Sequence, residues 1–147
     1  MDQVFAKDVV EGLSANPKFL PSKYFYDETG DGLFQQIMQL QEYYLTHSEF
    51  EIFSQQRSDL LKLFQENSTK FNLVEFGAGD GLKTKVLLEY FVQQQADFQY
   101  VPIDISQNVL DQLILSLKKE LPQLKVKSLN AEYFAGLKAL DHNENSK

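Results

Sequence analysis

There is no cysteine among the 147 residues, which excludes both a disulfide framework and a thiolate metal site. Histidine is nearly as scarce: His47 and His142 stand far apart in the sequence, and no metal site is expected. Positive charge is also short. Fourteen Lys and Arg face 21 Asp and Glu, for a net charge of −7. The lysines are scattered, with Lys118–Lys119 the only doublet, so the basic footprint of a nucleic-acid binder is missing. No apolar run approaches the length that spans a membrane. The opening "MDQVFAKDVVEGL" alternates charged and apolar residues and has no signal-peptide h-region. A cytoplasmic globular protein with no nucleic-acid or membrane partner is the expectation.

What is present is a core-forming composition, 43% hydrophobic and 13% aromatic, in a chain long enough for one domain. Residues 1–69 read as a helical N-terminal region. Val4, Phe5, Val9 and Leu13 fall at helical spacing. Pro17, Pro21, Gly30 and Gly32 punctuate an ordered loop. Asp31 is placed to cap a short helix carrying Leu33, Phe34, Ile37, Met38 and Leu40. Thr46 and Glu49 have capping-box spacing ahead of a helix through Phe50, Phe53, Leu60, Leu61 and Phe64.

Residues 70–147 have another texture. "FNLVEF", "FQYVPID" and "LKVKSL" read as strands, separated by the helices "LKTKVLLEYFVQQQ" and "QNVLDQLILSLKKEL". Ser106 is placed to cap the second helix, and "AEYFAGLKAL" reads as a short third one. The order β-α-β-α-β predicts an α/β fold with a parallel sheet, strand order 3-2-1, one half of a doubly wound Rossmann-like domain. Ligands of such sheets sit beyond the strands' C-terminal ends. Gly77, Asp104 and Glu132 all fall on that rim.

The first strand runs into "EFGAGDG", with glycines at 77, 79 and 81 and acids at 75 and 80. A dinucleotide fingerprint needs its third glycine where Leu82 stands, and the phosphate-loop ending is absent. An acidic glycine turn suits a ligand without phosphate that carries positive charge. S-adenosyl-L-methionine (SAM) has that character. Gly77 and Gly79 would let it approach the backbone, Asp104 would accept from the ribose hydroxyls, and Glu132 and Tyr133 would meet the adenine. Bland readings stand beside these. The glycines also fit a tight strand–helix turn, Asp104 a helix cap in competition with Ser106, Glu132 and Tyr133 a surface helix, and Glu75 a solvent-facing strand residue.

The N-terminal half is more specific. Lys23–Tyr24–Phe25–Tyr26–Asp27, Gly32–Leu33–Phe34, Ile37 and Glu42–Tyr43–Tyr44–Leu45–Thr46 resemble the opening of the histidine-specific SAM-dependent methyltransferases, which trimethylate the histidine α-amine on the way to ergothioneine. Gly77, Gly79, Lys83, Thr84 and "YVPIDIS" extend the similarity, from about residue 17 to 135. Gln41 and Leu45 occupy places where the family pattern has a proline. The resemblance implies SAM as cofactor, with Gly77, Lys83 and Asp104 in contact with it and Glu132–Tyr133 at its adenine. It implies a small-amine substrate bound by Tyr43, with Tyr26 and Phe34 lining the same pocket; for these aromatics core packing is the bland reading. No residue is assigned as catalytic. The family continues beyond this length, so the chain is expected to be the N-terminal part of a longer protein. It is then expected to be inactive alone and to self-associate through the exposed edge of the first strand. Another methyl acceptor, or a non-catalytic SAM-binding or interaction domain, are the alternatives.

Overall fold

The structure is a computed structural model that describes residues 3–25 and 27–141. Helix α1 (Gln3–Ser14) leads through a 3-10 turn (Ser22–Phe25) to α2 (Glu28–Ile37) and the long α3 (Leu45–Gln65). The sheet region follows as β1 (Lys70–Phe76), α4 (Leu82–Gln93), β2 (Asp97–Asp104), α5 (Gln107–Glu120), β3 (Lys125–Val126), β4 (Leu129–Asn130) and α6 (Tyr133–Asp141).

The sheet is parallel throughout. β1 pairs with β2 from Lys70↔Asp97 to Phe76↔Ile103. On the other side of β2 the expected third strand is interrupted: β3 pairs through Tyr100↔Val126 and β4 through Ile103↔Leu129. The register survives the break, because Lys127 N–H donates to the Tyr100 carbonyl and Ala131 N–H to that of Asp104. The strand order is therefore the one its alternating apolar runs predicted, with β2 central.

A central strand must be apolar on both faces, and β2 is. Phe98 and Tyr100 enter one core with Leu61 of α3, Leu87, Leu88 and Phe91 of α4, and Leu113 and Leu117 of α5. Val101 and Ile103 enter a second core on the opposite face with Leu140 of α6. Phe91 is fully buried and meets Phe64, Phe71 and Phe98 at ring-centroid distances of 6.1, 6.2 and 5.6 Å. That contact docks α3 onto the sheet.

Two local expectations are corrected. The α2 cap is Asp27, whose Oδ1 accepts from Gly30 N–H at 2.8 Å, while Asp31 lies inside the helix. The capping box does not form. Helix α3 starts with Tyr44 as its N-cap and no side-chain cap bond, Glu49 pairs with Lys83, and the buried Thr46 hydroxyl has no partner. On α2, Leu33, Phe34, Ile37 and Leu40 are 40–55% exposed. No helix of the described residues is long and apolar enough to cross a membrane.

Candidate functional site

The loop after β1 is set by left-handed glycines. Gly77, Gly79 and Gly81 have φ of +64°, +55° and +68°, values that L side chains rarely adopt. Space agrees with torsion at two of them. A Cβ on Gly77 would stand 2.9 Å from the Tyr133 hydroxyl, and one on Gly81 would stand 2.4 Å from Leu113 Cδ1. The loop is thus pressed between α5 and the start of α6.

Its two acids are both used internally. Asp80 Oδ1 accepts from the N–H of Leu82, the first residue of α4, at 3.1 Å. Glu75 lies beneath the loop, where it accepts from the Thr84 hydroxyl at 2.5 Å and from the Tyr100 hydroxyl. Both donors are buried. Burial pushes the Glu75 carboxyl above its ordinary pKa, against the pull of the Thr84 and Tyr100 hydrogen bonds and the Lys83 charge; the nearby Glu49 charge pushes it the same way as burial. Burial and the Glu75 carboxyl hold the Tyr100 phenol protonated far above its usual range. Glu75 is thus no solvent-facing strand residue. The available signal was its position two residues before Gly77 with a hydroxyl, Thr84, in the first turn of the next helix.

Asp104 ends β2 and ties the rim together. Its Oδ1 accepts from Ser106 N–H at 2.9 Å and its Oδ2 from Gly79 N–H at 3.2 Å. It is not the cap of α5. Ser106 takes that role, accepting from Val109 N–H at 3.3 Å. Each Asp104 oxygen carries one backbone donor, so the carboxylate keeps acceptor capacity for another. The Ser106 hydroxyl meanwhile donates to Asp31 Oδ2 at 2.7 Å, a link across 75 positions that anchors α2 to the rim.

Glu132 and Tyr133 are exposed beside the loop, and the Tyr133 ring packs on Phe76 at 5.1 Å. Lys83, in the first turn of α4, forms an ion pair with Glu49 of α3. On α2, three residues beyond the anchored Asp31, Phe34 meets Tyr43 edge to face at 5.9 Å. Lys23 and Tyr24 are fixed by Asp8 of α1, at 2.8 and 2.7 Å. The Asp8 hydrogen bond raises the Lys23 pKa, with a smaller push from the Glu132 charge. Gly77, Gly79, Asp104 and Tyr133 thus form one cluster, and Phe34 with Tyr43 a second. Tyr26 lies outside the described residues. Glu75, Asp31 and Glu49 are the polar members that sequence reasoning did not assign to the site.

A parallel-sheet rim with a glycine turn and a terminal-strand acid in contact is the mark of a nucleoside-binding βαβ unit. The residues fit SAM. Beside Gly79 the backbone is open, a Cβ there meeting only the Gly77 carbonyl at 4.0 Å; Asp104 retains lone pairs, and an aromatic ring and an exposed acid stand beside the loop.

The comparisons narrow the class. The sequence profile described as "Histidine-specific methyltransferase, SAM-dependent" matches residues 5–147, and the chain belongs to that family. It is 32% identical over 127 residues to the histidine N-alpha-methyltransferase of Mycobacterium tuberculosis, covering 86% of this chain and 38% of that one. To the enzyme of the same name from Mycolicibacterium smegmatis it is 30% identical over 140 residues, 95% of this chain and 42% of that one. It is also 32% identical over 114 residues to the N-methyltransferase dtpB of Aspergillus flavus, 78% of this chain and 31% of that one. The chain thus spans about 40% of the length of the mycobacterial relatives.

Proposed function

We propose that this chain is the cofactor-binding portion of a SAM-dependent N-methyltransferase whose acceptor is the α-amino group of histidine or a related small amine. The observation that carries the reading is Asp104, held against the glycine loop by Gly79 N–H with lone pairs to spare. In this reading Gly77 and Gly79 accommodate the methionine end, Lys83 meets its carboxylate, Asp104 accepts from the ribose, and Glu132 with Tyr133 borders the adenine. The cofactor supplies an electrophilic methyl group on its sulfonium. The chain's own task is alignment: Phe34 and Tyr43, with Tyr26, border the acceptor and hold its amine near attack distance. A free α-amine titrates near pH 8, so a useful fraction is neutral without a strong base. No catalytic residue is assigned. Residues 1–69 contribute the substrate-side loops and 70–147 the first half of the cofactor domain.

Histidine is favoured by the mycobacterial relatives' names. The Aspergillus relative, named an N-methyltransferase with no acceptor given, supports the transfer to nitrogen alone. Calorimetric titration of S-adenosylhomocysteine tests the core of the proposal. The expected result is binding that Asp104→Ala abolishes. No binding by a chain shown folded by circular dichroism overturns it for the chain alone. The acceptor groups are expected to lie partly outside this chain, so no methylated histidine should form on incubation with SAM and histidine; product would contradict that.

The partner reading rests on β1. Among the described residues it pairs only with β2, leaving one edge free, and apolar edge strands invite pairing. Self-association through that edge is expected in light scattering; a monomer at high concentration would refute it.

A further inference from the structure

Of the glycine loop's own acids, Glu75 is enclosed by Thr84 and Tyr100, and Asp80, though exposed, has one oxygen engaged by Leu82 N–H. A third carboxylate is paired with a residue of the cofactor reading. Glu49 reaches across from the second turn of α3 to Lys83 in the first turn of α4, and its charge is felt by Glu75 beneath the loop. The pair is open to solvent, with 47% of the Glu49 side chain and 33% of the Lys83 side chain exposed. Ion pairs in such settings are weak, ~0–1 kcal/mol, and part readily for a better partner. Glu49 makes no capping-box bond with Thr46, which lies inside α3, so its carboxylate is committed to Lys83 alone among the described residues.

From this arrangement we propose that Glu49 and Lys83 form a zwitterion clamp, opening to take the amino-acid end of the cofactor. Lys83 receives the α-carboxylate and Glu49 the α-ammonium. The exchange conserves charge: one internal pair becomes two ligand pairs of the same signs. Glu49 is then a specificity-determining residue for ligands with a free amino-acid end, contributed by the helical region rather than by the sheet. This rests on the SAM reading above and adds a residue to its site.

The test uses two ligands that share the adenosine and thioether and differ in the amino-acid end, S-adenosylhomocysteine and 5′-methylthioadenosine. Each is titrated into the wild-type chain, Glu49→Gln and Lys83→Met. A charge-assisted hydrogen bond lost from Glu49→Gln should weaken S-adenosylhomocysteine roughly tenfold or more. Lys83→Met should do likewise. Methylthioadenosine should bind all three chains within about twofold, because it makes neither contact. A Glu49→Gln chain that binds S-adenosylhomocysteine as well as or better than wild type overturns the clamp while leaving the SAM reading intact. Equal weakening of both ligands makes Glu49 merely structural and also overturns it. Failure of the wild-type chain to bind either ligand sinks the SAM reading, and the clamp with it.

Discussion

Gly77 and Glu75 carry the site's most exacting requirements at the scale of single residues. Gly77→Ala meets two penalties, a left-handed φ of +64° and a Cβ 2.9 Å from the Tyr133 hydroxyl. Together these should cost about 1–3 kcal/mol. Pairing it with Tyr133→Phe removes the steric part and leaves the torsional one, so the double variant should recover some but not all of the loss in urea denaturation. Glu75 gives a pH dependence whose sign follows from its surroundings. Its folded pKa is raised, so the folded chain holds a proton that the unfolded chain releases near its ordinary value of 4.5. The stability from this group is full below that value and falls as pH rises through the raised one. Glu75→Gln cannot ionise. Its urea midpoint relative to wild type should therefore improve between pH 5 and pH 8, and a constant difference would contradict the assignment. Glu75→Leu should instead cost about 1–3 kcal/mol, because the Thr84 and Tyr100 hydroxyls lose their acceptor. None of this was readable from Glu75 in isolation; the partners that decide it arrive from α4 and β2.

At the scale of elements, regular structure was legible where apolar periodicity was long. β1, β2, α4 and α5 follow from their patterns, since each buries a face against the central strand. What failed was local rules overridden by distant partners. Thr46 and Glu49 satisfy the capping-box spacing, yet Glu49 pairs 34 residues away with Lys83. Asp31 was expected to cap α2, but Asp27 takes that place and Asp31, inside the helix, binds Ser106. The third strand is split at Lys127–Ser128, a break too short for periodicity to show. The attachment of α3 is the element most open to test. Phe91→Ala should cost about 3–5 kcal/mol, since it removes a fully buried ring shared by α3, β1 and β2. The loss is read from denaturant unfolding; a change under 1 kcal/mol would mean that α3 docks by other contacts.

For the molecule as a whole, the fold class and strand order came from sequence pattern, and the family from motifs in both halves. The meeting of the halves did not. Their side-chain links at the rim are Asp31–Ser106 and Glu49–Lys83, both long-range and both placed beside residues assigned to the cofactor. The free edge of β1 has a consequence for amide exchange. Gly77 N–H donates to the Ile103 carbonyl, so by alternation along a parallel pair the amides of Asn72, Val74 and Phe76 point away from β2. Two interleaved sets of protons in one strand should then exchange at very different rates. The fast set acts as a built-in gauge of occupancy. Its slowing with rising protein concentration would register, residue by residue, the moment another strand is added to the sheet.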